Sequence, residues 1–334
     1  MSLFLFQEDY VDGEPDPLSP LSLMTPVHEL RYGNRLLYRA LSDAVGEPEG
    51  LIVPRRFERY VRRKYPGKVT RLEDAGGVVY GSNVRVEEPV VIDASGGPVL
   101  IADDVRIEAF SRIEGPAYIG RGTVVHSARI NHHTYIGEMC RVGGEVEHSI
   151  IAGYSNKAHL GYLGHSYVGQ WVNIGAGSVT SDLKNTYGNV RYGRRRVDTG
   201  LLKVGAFIGD HAKLAVGTMT YSGKSIGAAS HVYGVVDVDV PPFLIYSSTG
   251  SPRTEELDLG KAMEIAERMM SRRGVELTED VREIFRGAFE ASSGERRDFL
   301  ASAPTGRIKR SQEGLRRSPC WMAPAPAGLP VPPE

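Results

Sequence analysis

Between Ser155 and Ser178 the chain reads S-N-K-A-H-L-G-Y-L-G-H-S-Y-V-G-Q-W-V-N-I-G-A-G-S, its densest run of polar side chains. His159 stands between Ala158 and Leu160, Tyr162 follows three residues later, and Asn173 precedes I-G-A-G-S. An unperturbed imidazole loses its proton near pH 6.5, so a neutral His159 suits a general base that takes the proton of an amine attacking a thioester. An asparagine side chain, or a backbone N–H from Gly175 to Gly177, would hold the substrate or the developing oxyanion. The bland reading of His159 is a side chain that hydrogen-bonds across a corner of the scaffold. The residues alone leave the two readings level.

A second chemistry to weigh is metal binding, because His126, His132, His133, His148, His159 and His165 are many for one region. His126 to His132 and His159 to His165 are each one hexad apart. On a scaffold of six-residue units such side chains point from successive faces and diverge, so no metal site is expected.

That scaffold is legible in the apolar residues. Ile101, Ile107, Ile113, Ile119 and Val125 fall six apart, and the period returns at Ile136 and Val142, at Val168 and Ile174, and from Ile208 to Val238. Six is neither a helical period nor a simple alternation. It marks a parallel β-helix, in which each hexad forms a short strand and a corner, and three make a coil of about 18 residues. Repeating units of paired helices need at least ~20 residues and do not compete.

The hexads extend over 78–240. Ser181 to Lys203, with Arg194 to Arg196, interrupts them and reads as a loop or hairpin leaving one corner, where function often sits. Pro241-Pro242 is expected to end the stack, since proline has no N–H for the next coil. Two α-helices are expected at Leu257–Arg273 and Thr278–Ala291, within a segment 254–292, with Gly274 at the first C-terminus and Thr278-Glu279-Asp280 opening the second. Val281, Ile284, Phe285 and Ala288 give the second an apolar stripe that packs on a coil end or a subunit. Residues 1–77 lack the hexads and read as a small α/β segment: a strand at Leu3–Phe6, helical spacing at Leu36, Leu37, Ala40 and Leu41, and a basic helix face from Arg55 to Lys64. The tail, 302–334, is rich in Pro, Ala and Arg, and disorder is expected.

The formal net charge of −1 gives no global reason to expect nucleic acid or a membrane surface as partner. Cys140 and Cys320 are the only cysteines and form no framework, which fits a reducing cytosol. The opening MSLFLFQEDY has no basic region before its apolar run, and no stretch is apolar enough to span a bilayer, so a cytoplasmic protein is expected.

Residues 155–192, with T-G-L-L-K-V-G-A-F-I-G-D-H-A-K-L-A-V-G-T at 199–218, L-D-L-G-K-A-M-E-I-A-E-R-M-M-S-R-R-G near the C-terminus and P-L-S-L-M-T-P-V-H-E-L-R-Y-G near the start, resemble one family. It is that of the UDP-N-acetylglucosamine pyrophosphorylase / glucosamine-1-phosphate N-acetyltransferases, and within it the GlmU-like sugar nucleotidyltransferase group. The resemblance implies a left-handed β-helix, a homotrimer with sites between prisms, and acetyl-CoA as cosubstrate. The family's H-L-S-Y stands here as H-L-G-Y, so His159 matches its catalytic base and Tyr162 its sugar-phosphate-binding tyrosine. V-N-I-G-A-G is intact, so Asn173 matches a substrate-binding asparagine and Ala176 the residue whose backbone meets acetyl-CoA. Two positions depart. The family's upstream sugar-contacting lysine falls at Glu147 or His148, and its Asn-Tyr pair is Asp182-Leu183, with Lys184 nearby as a positive charge.

A nucleotidyltransferase needs a Gly-rich triphosphate loop and acids for Mg²⁺. Residues 1–77 carry no such loop and are shorter than the ~100 residues that such a domain occupies. A truncated remnant without pyrophosphorylase activity is expected. The leading function is thus acetyl-CoA-dependent N-acetylation of an amino-sugar 1-phosphate such as glucosamine 1-phosphate. The alternatives are a β-helix subunit kept for assembly or regulation without catalysis, and a carbonic-anhydrase-like metal hydratase.

Overall fold

The computed structural model of the protein describes residues 77–193, 196–249 and 253–302, and upstream of these the backbone of five short strands. Each hexad carries the chain along one face and round one corner, so aliphatics one coil apart stack inside a left-handed parallel β-helix. One interior column is Ile101, Ile119, Ile136, Ile151, Val168, Ile208 and Ile226, none more than 2% exposed. A second column runs through Ile107, Val125, Val142, Ile174, Leu214 and Val232, and a third through Ile113, Ile130, Val146 and Leu163. Each such side chain contributes about 1.5–3 kcal/mol by leaving water.

The coils are not of equal length. The coil from Ile136 to Ile151 is shorter than the one from Ile101 to Ile119. The step from Val168 to Ile208 is more than twice either, because Ser181 to Lys203 leaves the prism there. That excursion is closed by an antiparallel bridge between Leu183 and Lys203 and contains a hairpin pairing Arg191–Tyr192 with Val197–Asp198.

Pro241-Pro242 does not stop the stack. Leu244–Ser247 still pairs in parallel with His231–Tyr233, because the prolines lie at a corner, where no strand asks for their missing N–H. Arg253–Glu256 then returns antiparallel along Leu244–Ser247 and covers the open edge.

Three helices follow: α1 (Leu259–Ser271), α2 (Glu279–Ala291) and α3 (Ser293–Ser302). Asp258 caps α1 by accepting from the Lys261 N–H at 2.9 Å. At its other end Gly274 takes a φ of +67°, which lets the Val275 N–H reach the Met270 carbonyl. The helices fold back on a corner of the prism. Trp171 and Phe243 meet Met263, Ala266, Met270 and Phe285 there. Of the stripe expected on α2, Phe285 is buried and Ile284 is 68% exposed. Helix α3 has no apolar stripe to announce it. Its one buried residue is Arg296, which donates to Glu256 at 2.8 Å and lies 3.8 Å over the Phe289 ring.

Upstream, Phe4–Phe6, Gly50–Val53 and Val69–Arg71 form a parallel sheet, and Arg31–Tyr32 pairs antiparallel with Arg35–Leu36. Of the helical spacing expected at Leu36, Leu37, Ala40 and Leu41, Leu36 lies instead in the strand Arg35–Leu36; the other three, the basic face from Arg55 to Lys64 and the tail beyond 302 lie outside the described residues. Among the described residues no helix is long and apolar enough to cross a membrane.

Candidate active site

His159 is exposed at the corner between the strand Asn156–Lys157 and the strand Tyr162–Gly164. The corner is held from inside. Lys157 occupies an interior position of the second column, paired with Val142, and is only 3% exposed. Its ammonium donates to the carbonyls of Gly143 at 2.7 Å, Gly161 at 2.9 Å and His159 at 3.3 Å. Three carbonyls replace its water shell, yet burial still lowers its pKa to about 8. The departure from H-L-S-Y also has a local reason. Gly161 has a φ of +141°, and a Cβ there would run into the carbonyl of Ser178.

One coil further on the same corner is G-A-G. Asn156 registers with Asn173, and the Gly177 N–H donates to the Leu160 carbonyl at 2.8 Å, so Ala176 lies a coil from His159. Asn173 sits on the face before the corner and Tyr162 begins the face after it. Among the described residues no hydrogen bond joins the His159 ring to either. The oxyanion role cannot be shared by the whole stretch. The Gly175 and Gly177 N–H groups are committed to the Leu214 and Leu160 carbonyls. Asn173 belongs to a ladder: its Oδ1 is 3.5 Å from the Asn156 amide, whose own Oδ1 accepts from Arg273 at 2.7 Å. Arg273, just beyond α1, carries no mark in the sequence that would single it out.

The Tyr162 hydroxyl donates to Oδ2 of Asp182 at 2.9 Å, and the same oxygen lies 2.7 Å from Nδ1 of His165. Burial pushes the Asp182 pKa up, but the hydrogen bonds of His165 and Tyr162 outweigh it and hold the carboxyl below its usual range. Burial, then the Asp182 charge, raises the Tyr162 pKa, so its hydroxyl stays a donor. Lys184 does not join this group; its ammonium donates to the Asn189 carbonyl, inside its own loop, at 2.8 Å. In the sequence Asp182 stands out only as a departure from the motif, and nothing there pairs it with His165. Their separation by one coil is the signal that would have found the pair.

The histidines also converge, against the reading from hexads. His132, His148 and His165 follow one another at the length of a coil, so they return to one corner instead of spreading over three faces. The His148 ring lies 4.6 Å from the rings of both His132 and His133, and 4.7 Å from that of His165, on which it stacks nearly parallel. His126 stays apart, with Nδ1 3.0 Å from Glu108.

No protein-family model matches the chain. It is 33% identical over 182 residues to the bifunctional protein GlmU of Acidithiobacillus ferrooxidans, covering 54% of this chain and 36% of that one. GlmU of Azorhizobium caulinodans is 36% identical over 137 residues, 40% of this chain and 28% of that protein. The resemblance is to GlmU. A bifunctional sugar-1-phosphate nucleotidylyltransferase/acetyltransferase of Sulfurisphaera tokodaii is 33% identical over 159 residues, 42% of this chain and 40% of the relative. The match thus spans well under half of each relative's length. Among solved structures, Arabidopsis UDP-N-acetylglucosamine acyltransferase superposes with a TM-score of 0.33 at 14% identity, over 69% of this chain and 94% of that one.

Proposed function

We propose that the protein is an acetyl-CoA-dependent N-acetyltransferase acting on an amino-sugar 1-phosphate of the glucosamine 1-phosphate kind. It would serve nucleotide-sugar biosynthesis as a cytoplasmic homotrimer. The observation that carries this reading is the corner where His159 and Ala176 lie one coil apart, flanked by Asn173 and Tyr162 in the motif order seen in the sequence. In this reaction the amine nitrogen attacks the thioester carbonyl, the exposed His159 imidazole takes the amine proton, and the C–S bond breaks to release the CoA thiolate. With the N–H groups of Gly175 and Gly177 engaged, that of Ala176 is left to meet the thioester oxygen. Tyr162 and Asn173 position the sugar. Residues 1–77 serve packing or assembly, not nucleotidyl transfer.

A second reading, an assembly or regulatory subunit without catalysis, draws on one observation. Glu147 and Asp182 lie beside the Tyr162 hydroxyl, and Lys184 is turned away, which does not favour a phosphate there. Free thiol released from acetyl-CoA, measured against a panel of amino sugars, their 1-phosphates and nucleotide-linked amino sugars, tests both. Release that depends on one of these amines supports the enzyme. No release with any member supports the second reading.

A further inference from the structure

The corner at which His132, His133, His148 and His165 meet is not used by acyl transfer, and its chemistry is that of a ligand set. Three consecutive coils supply it. His133, His148 and His165 all take left-handed backbone conformations, with φ of 56°, 44° and 47°, which aims equivalent side chains at one place. One ring nitrogen from each of His132, His133 and His148 lies within 4.8 Å of the other two. Tetrahedral zinc, with bonds of roughly 2.0–2.1 Å, brings its ligand nitrogens to about 3.4 Å, so small side-chain rotations close the set.

Two further observations separate this corner from ordinary aromatic packing. The Nδ1 of His148 is buried and has no hydrogen-bond partner; the Glu147 carboxylate, at 3.7 Å, is too far to serve as one. Such an atom carries an uncompensated desolvation cost unless something binds it. A neutral imidazole is the form that ligates a metal. The comparable corner column at Tyr154 and Trp171, by contrast, stacks rings 4.3 Å apart and carries apolar contacts.

We propose that His132, His133 and His148 bind one divalent transition-metal ion of the zinc class at this corner, within a single chain. Three neutral imidazoles suit Zn²⁺, Co²⁺ or Ni²⁺ and disfavour Mg²⁺ or Ca²⁺, which take oxygen ligands. His165, stacked on His148 and hydrogen-bonded to Asp182, fixes the outer side of the set. The proposal does not rest on the acyl-transfer reading, although Asp182 links His165 to Tyr162.

The test uses untagged full-length protein, stripped with a chelator and titrated with ZnCl₂ against a chromophoric competitor. One equivalent should bind per chain, and Co²⁺ in its place should show the visible bands of a four- or five-coordinate site. His148→Ala, with folding checked by circular dichroism, should weaken zinc by about 100-fold or more and abolish the bands. His126→Ala should leave both unchanged. Failure of the wild type to bind a stoichiometric equivalent overturns the site without any variant, as does equal affinity in folded His148→Ala. MgCl₂ competing with zinc at equal concentration would contradict an imidazole set.

Discussion

Lys157 donates its ammonium to the carbonyl of Gly161, 2.9 Å away, across the inside of the prism. The bond ties the interior of one coil to the turn that displays His159. Lys157→Met fills the same space but leaves the carbonyls of Gly143, His159 and Gly161 without this donor. Stability should fall by about 1–3 kcal/mol in urea unfolding, and turnover per folded molecule should also fall because the corner loosens. A variant as stable and as active as wild type would show that the lysine does not brace the site.

A second buried lysine adds a pH signature. The Lys213 ammonium donates to the carbonyls of His211 at 2.6 Å and Trp171 at 3.0 Å, and burial lowers its pKa to about 7. Lys157 stands at about 8. Both lie below the ordinary lysine value of about 10.4. Between these limits the folded protein therefore holds fewer protons than the unfolded chain, and stability rises with pH. Below pH 7 the cost of burying both charges is fully present. Thermal unfolding followed from pH 7 to 10 should show the rise, and Lys213→Met should flatten it.

Asp182 is expected to matter for substrate binding more than for chemistry. Asp182→Asn keeps an acceptor for Tyr162 but removes the charge that orients both Tyr162 and His165. KM for the amino sugar should rise about 10-fold, with kcat changed less, as for loss of uniform binding. Steady-state kinetics with acetyl-CoA saturating reads the split.

Gly161→Ser restores the motif letter of the resembling family and should nevertheless harm this chain. A side chain at a φ of +141° is strained, and its Cβ meets the Ser178 carbonyl of the next coil. A loss of about 1–3 kcal/mol is expected from thermal or denaturant unfolding.

The β-helix is legible because an interior isoleucine has one requirement, burial, and repeats it every hexad. Ile101 to Val125 state the period without error. The side chains that build the site obey the coil instead, and the coil changes length as corners gain or lose a residue. Counting hexads from His126 to His132 and from His159 to His165 predicts that they diverge and overlooks His148, whose ring meets that of His132 edge-on one coil later. Lys157 escapes notice for a related reason: it stands in a column of aliphatics, paired with Val142, where a cation has no place by composition alone. Helix α3 is invisible because Arg296, not an apolar stripe, anchors it. Proline at 241 and 242 reads as a terminus because the sequence does not say whether a residue lies in a strand or a corner.

The most direct measurement is thiol release from acetyl-CoA in the presence of an amino-sugar 1-phosphate, comparing wild type with His159→Ala, both verified as folded. General-base loss predicts turnover lower by about 10²–10⁴, with acetyl-CoA binding and assembly unchanged. Equal turnover in the two proteins would remove His159 from the mechanism, and absence of amine-dependent release from wild type would contradict acetyl transfer itself.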